Sequence, residues 1–331
     1  MLRRLPTFDS VLVVSFGGPQ GLDDIRPFLA NVLRGRRVSP ERVEEVARHY
    51  ELFGGVSPIT AITRLQAAGL QDRLAAAGHP LPVYVGMRNW HPLLPDTLRD
   101  LRAAGLRRAV GFIAAAQHSY SSCQQYRENV AAARAELRRD GDDVEVTFVG
   151  SWFDHPLFIA ANAAHVREAR EKLPEHLRAS ARLVCTAHSI PSTMAATSRY
   201  EAQLRESARL VAEEAGIREW AVVYQSRSGR PGDPWLEPDI SDYLRRERAA
   251  GLEAAVICPI GFVCDHIEVL YDLDREAAAV SREIGLTMAR AEAVNDDPLF
   301  LDMMADIVLS TIAKYEHGRP LPLAAAGSSR P

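Results

Sequence analysis

Asp265, Glu268, Asp272 and Glu276 follow one another at steps of three, four and four residues. On an α-helix those steps bring all four carboxylates onto one face. Like charges at that spacing oppose a bare helix by about 0.2–0.5 kcal/mol per pair, so the stripe is a local cost that needs a cause. Carboxylate oxygens are what hard divalent cations select, which would make the stripe a path for a hydrated metal ion. Alternatively, the face is solvated, with Asp265 as N-cap and Glu268 at the third helical position, close to a capping box. The spacing alone leaves both readings open.

The stripe begins just after an apolar, β-branched run, Ala254 to Cys258, that turns through Pro259 and Gly261. Val11–Ser15, Val83–Val85, Ala109–Ile113 and Val144–Val149 form one set of such runs, and Leu183–Thr186, Ala221–Tyr224, Ala254–Cys258 and Leu286–Ala289 a second. Periodic Leu/Ala/Arg segments between them read as helices. Continuous apolar strands alternating with helices predict an α/β protein with two parallel four-stranded sheets of similar topology. The expected units are 1–150 and 151–297, with a helix over 298–315 packing back on the first and a disordered tail at 316–331. In such sheets ligands bind at the carboxyl ends of the strands. Six loops qualify: SFGGPQ (15–20), GMRNWHP (86–92), AAQHSYSSCQQYREN (115–129), TAHSIP (186–191), YQSRSGRPGDPWLEPD (224–239) and GFVCDHIEVLYD (261–272). His188 and Glu268 lie at strand ends in the same half. A lone histidine there is more often structural, whereas a facing His–Glu pair suits proton abstraction or metal coordination.

Composition narrows the function classes. The chain has 331 residues, 47% hydrophobic and 25% charged, which is that of a soluble globular protein. A formal charge of −4 gives no footprint for nucleic acid. Cys123, Cys185, Cys258 and Cys264 form no CxxC or Cys/His pair, against a zinc or iron–sulfur site. No stretch approaches the roughly 20 apolar residues a membrane helix needs, and MLRRLPTFDSVLVVSFGG ends in a Gly-Gly turn rather than a cleavage site. The expectation is a cytoplasmic monomer without membrane insertion.

TAHSIP, QSRSGRPGDPWLEPD and PIGFVCDHIEVLYDLD, with SFGGP, LRGRR and YELFGGVSPI, resemble the ferrochelatases over about residues 10–315. The resemblance implies a chelatase-type fold of two Rossmann-like domains with a porphyrin cleft between them. It implies insertion of Fe2+, the metal substrate, into a porphyrin with release of two protons and no required cofactor. His188 corresponds to the active-site histidine that accepts pyrrole protons or ligates the metal, and Glu268 to its acidic partner. Asp272 and Glu276 match an outward acidic row, so the implied metal set is His188, Glu268, Asp272 and Glu276. Phe16, Arg34, Ser57, Gln66, Tyr120, Ser121 and Trp235 are the implied porphyrin contacts. Phe16 stands where several bacterial members have tyrosine, and His49 where relatives often have arginine. Cluster-holding members carry C-terminal cysteines that 316–331 lacks, so no [2Fe–2S] cluster is expected. The charged segment 36–55 suits a tetracarboxylate, coproporphyrin III, going to coproheme. Protoporphyrin IX giving protohaem, a non-catalytic haem or porphyrin carrier, and a cobalt chelatase acting on sirohydrochlorin are the alternatives.

Overall fold

The computed structural model describes residues 7–35, 38–228 and 232–317. Eight strands form two four-stranded sheets. The first holds β1 (Ser10–Ser15), β2 (Val83–Met87), β3 (Arg108–Ile113) and β4 (Glu145–Phe148) in the order β2-β1-β3-β4. The second holds β5 (Arg182–His188), β6 (Trp220–Gln225), β7 (Ala254–Cys258) and β8 (Thr287–Arg290) in the order β6-β5-β7-β8. All pairs are parallel, with Val11 opposite Val83 on one side of β1 and Cys185 opposite both Val222 and Cys258 in β5. The expected α/β class, strand count and matching topology are all found.

Burial explains which runs lie centrally. Every residue of β1 (SVLVVS) and of β7 (AAVIC) is buried, because helices cover both sheet faces. Edge strand β4 starts with the exposed Glu145. Helix starts follow local chemistry. Ser39 Oγ accepts from Arg42 N ahead of Pro40–Glu51, and Asp239 accepts from Ser241 N ahead of Ile240–Ala249.

One apolar cluster runs through both sheets, from Val11, Val110 and Phe112 to Leu183, Cys185 and Val256. Trp152, beside the point at which the sequence divides the halves, stacks on Phe112 at 5.3 Å and meets Phe158 edge-on at 5.2 Å. That segment is therefore core rather than exposed linker. The helix Pro298–His317 packs on both Ile59–Ala76 of the first half and Pro156–Glu171 of the second, not on the first alone. Gly69 permits the approach: a Cβ there would lie 2.5 Å from Leu301 Cδ1. The expected tail lies outside the described residues beyond His317. No helix among the described residues is long and apolar enough to cross a membrane.

Candidate active site

His188 is the last residue of β5. Its Nδ1 hydrogen-bonds the Ser189 carbonyl. A carbonyl only accepts, so Nδ1 donates there and Nε2 is the ring nitrogen turned toward Glu268. The strand end is held on several sides. Tyr200 Oη donates to the His188 carbonyl at 3.0 Å, and Gly261 N to the Thr186 carbonyl at 3.0 Å. Position 261 must be glycine, because a Cβ would stand 2.4 Å from Ala187 Cβ. The long loop after β6 pairs with the same turn, Ser192 N to Pro234 O and Leu236 N to Ile190 O, each at 3.0 Å. Half-buried Trp235 is thereby set beside the His188 turn.

Glu268 Oε2 lies 3.6 Å from His188 Nε2, and both side chains remain about one-third exposed, at 37% and 35%. That separation is too long for a hydrogen bond. An imidazole nitrogen and a carboxylate oxygen thus face each other without a hydrogen bond, a donor set of the kind a divalent cation takes.

The carboxylate stripe is built differently from the sequence expectation. The helix starts at Ile267, and its N-cap is half-buried His266, whose Nδ1 accepts from Glu268 N at 3.2 Å. Burial holds the His266 imidazole below its usual pKa, which keeps that nitrogen a neutral acceptor. Asp265 stands outside the helix, not on the face, because Arg290 Nη1 at 2.8 Å and Asn295 Nδ2 at 2.9 Å claim its carboxylate. Beyond Tyr271 the helix widens into a π-helical stretch, Asp272–Ala277. A four-residue step on an α-helix overshoots one turn by about 40°. A wider π turn reverses that drift and returns Glu276 toward the face of Glu268.

Asp272 is buried. It accepts from Ser226 Oγ, and from Gln225 Nε2 at 3.1 Å. Desolvation, with Glu268 and Glu276 adding repulsion, raises its pKa to about 7 against these hydrogen bonds. Ser226 reaches it from a left-handed backbone, φ 59°. Gln225 Oε1 finds no hydrogen-bond partner among the described residues. Glu276, also raised chiefly by burial, takes a hydrogen bond from the Tyr271 hydroxyl, whose ring stacks on His49 at 3.7 Å. Among the described residues no three His, Cys, Asp or Glu side chains converge as a ready metal cage. The four-residue metal set thus resolves into a His188–Glu268 pair and two acids held by other partners.

The remaining sequence candidates divide. Phe16 is half-buried, edge-on to Phe28 at 6.2 Å, with the Arg88 guanidinium 5.6 Å from its ring. Arg34 is exposed and donates to Asn31 Oδ1 at 2.6 Å; its neighbours Arg36 and Arg37 lie outside the described residues. Ser57 is buried against Gly18, where any Cβ would lie 2.5 Å from Ser57 Cβ. Gln66 is no cleft donor: its Nε2 is taken by the carbonyls of Val263 at 3.1 Å and Asn295 at 2.7 Å. Tyr120 points to solvent and bonds Glu128 at 3.0 Å, while Ser121 joins a hydroxyl cluster with Ser119 at 3.1 Å. The charged segment 36–55 and the residues flanking it in sequence are not uniformly polar either. Glu41, Glu44, Glu45 and Arg48 are exposed, but so are Leu22, Leu52 and Val56.

Four contributors were not anticipated from the sequence: Arg88, Tyr126, Gln225 and Ser226. Arg88 lies over Phe16 and over Tyr126 at 4.8 Å, with Nε unpartnered among the described residues. Arg88 sits in the GMRNWHP loop, and its arginine was the only available signal.

The profile of the ferrochelatase family matches residues 9–312. This chain belongs to that family. A ferrochelatase of Rhodopirellula baltica is 49% identical over 95% of this chain and 89% of its own length. The coproporphyrin III ferrochelatase of Mycolicibacterium smegmatis is 45% identical over 98% of this chain and 96% of its own. Among solved structures, SirB from Bacillus subtilis with Fe3+ superposes with a TM-score of 0.57 at 11% identity, covering 93% of this chain and 96% of that one. The sirohydrochlorin chelatase SirB of subspecies spizizenii in complex with cobalt gives 0.54 at 10% identity, covering 93% and 96%. At that identity the likeness concerns the fold.

Proposed function

We propose that this chain inserts Fe2+ into coproporphyrin III, with His188 as proton acceptor or metal ligand and Glu268 as its acidic partner. The observation that carries the reading is the pair of facing groups, His188 Nε2 and Glu268 Oε2, 3.6 Å apart and each about one-third exposed. A pyrrole N–H brought to His188 Nε2 can pass its proton to that nitrogen when the ring is neutral. Fe2+ that sheds water gains imidazole and carboxylate in exchange, a donor set suited to a borderline divalent ion. Release of two pyrrole protons per metal inserted balances the charge. Asp272, poised near neutrality at about 7, and Glu276 offer successive stations on the outward side for protons or for the ion.

The relatives named coproporphyrin III ferrochelatase support the tetracarboxylate over protoporphyrin IX. So does the supply of cations: neither Arg34 nor Arg88 pairs with a carboxylate among the described residues. Arg88, flattened between Phe16 and Tyr126, is suited to a substrate carboxylate, and Trp235 to the macrocycle's edge. Two units, divided near Ser151 and roofed by the last helix, would act in the cytoplasm as a monomer without a resident cofactor. Anaerobic Fe2+ insertion followed by absorbance, with coproporphyrin III and protoporphyrin IX in parallel, tests the reading. Faster turnover of coproporphyrin supports it, a preference for protoporphyrin overturns the substrate, and no insertion into either overturns the activity.

A further inference from the structure

Among the described residues the Glu268 carboxylate has no hydrogen-bond donor; it only faces His188. Its place is therefore set by the backbone that carries it, and that backbone is clamped from outside the helix. Arg290, at the end of β8, donates from Nη1 to Asp265 Oδ1 at 2.8 Å, just ahead of the helix. The same guanidinium donates from Nε at 2.6 Å and Nη2 at 3.0 Å to both oxygens of Asp274, inside the π-helical stretch. One planar cation thus spans the segment on which Glu268 sits, in the bidentate geometry that arginine alone provides.

The clamp continues toward the first half. Asn295, in a left-handed conformation at φ 43°, accepts from Asp265 N at 2.8 Å and donates to Asp265 Oδ2 at 2.9 Å. Its carbonyl accepts from Gln66 Nε2 at 2.7 Å, and Gln66 belongs to the helix Ile59–Ala76 that borders the first sheet. Arg290 and Asp265 have side chains only 15% and 13% exposed, so solvent weakens this pair little. The arrangement uses every strong group of Asp265 and explains why that acid is absent from the row.

We infer that Arg290, with Asn295 and Gln66, is a positioning network that holds Glu268 at its distance from His188. The inference rests on the role of Glu268 proposed above. Arg290→Gln in the full chain lowers kcat for iron insertion by about 10–100-fold, the range for supports of a metal-binding group, while porphyrin affinity read by fluorescence stays within about twofold. Arg290→Lys restores only part of the rate, since ammonium cannot bridge two carboxylates in one plane. In a Glu268→Gln background the same Arg290→Gln change adds less than about twofold, because the group it positions is already lost. Full additivity in that background, or a porphyrin affinity that falls in step with kcat, overturns the proposal. Glu268→Gln at the wild-type rate would overturn the reading of Glu268 itself, a distinct result. If Arg290→Gln does not fold, Asp274→Asn opens only the outer half of the clamp and goes through the same cycle, with an expected loss of about 3–10-fold and the same criteria.

Discussion

The segments that follow β3 and β7 occupy equivalent places in the two sheets, and both contain a π-helical stretch, Tyr120–Gln124 in one and Asp272–Ala277 in the other. Both are rich in polar side chains, yet their polar groups have opposite fates. After β3 they satisfy one another. Ser119 and Ser122 form a reciprocal capping box, Ser122 Oγ also donates to the Gln117 carbonyl at 2.6 Å, and Tyr120 bonds Glu128. Around the segment after β7 they do not: the Glu268 carboxylate has no hydrogen-bond donor among the described residues, Asp272 is crowded by two neighbouring acids, and Gln225 Oε1, at the end of β6, has no partner among them either. A polar cluster that completes its own hydrogen bonds is architecture, whereas one left short of donors has capacity for a proton or a metal ion.

That contrast can be broken by substitution. The largest effect should come from His188→Ala, which removes the ring nitrogen that faces Glu268; steady-state insertion should fall by at least about 10³-fold with thermal stability nearly unchanged. Glu268→Gln keeps the shape but gives the pair a donor, and a loss of about 10²-fold measured in the same assay is expected.

Asp272→Asn should show itself first in stability. The folded state raises this carboxyl from 3.8 to about 7, so between those values the folded chain binds the proton more tightly than the unfolded one. Wild-type stability should therefore decline as pH rises from about 4 to about 7 and level off above, where both states are ionised, a contribution of roughly 2–4 kcal/mol. Urea unfolding across pH 5–8 should find that slope flattened in Asp272→Asn and the variant more stable than wild type at the alkaline end. An unchanged slope would mean that the acid is not desolvated as described. The smallest effect belongs to the self-satisfied loop: Tyr120→Phe loses one exposed hydrogen bond and should alter insertion by less than about twofold. A large loss there would erase the distinction between the two segments.

Much of this was legible before the fold. Runs such as VLVVS and AAVIC are apolar without alternation because both faces are covered, so the strands, their class and the symmetric halves could be read directly. Motifs carried His188 and Glu268, each local to a strand end or helix start. Gln66, Tyr120 and Ser121 were harder, since a polar side chain in a suitable loop looks the same whether it meets a ligand or a backbone carbonyl.

The sequence by itself thus determined the eight strands, the helical phase that puts Glu268, Asp272 and Glu276 toward one side, and membership of the ferrochelatase family. Only the tertiary structure decided that Asp265 leaves that row for Arg290, that Asp272 turns in to Gln225 and Ser226, and that Arg88 lies between Phe16 and Tyr126. The reason is physical. Apolar periodicity is a local record of burial, but the partner of a polar group depends on which distant strand ends the sheet order brings together, and no local pattern encodes that choice.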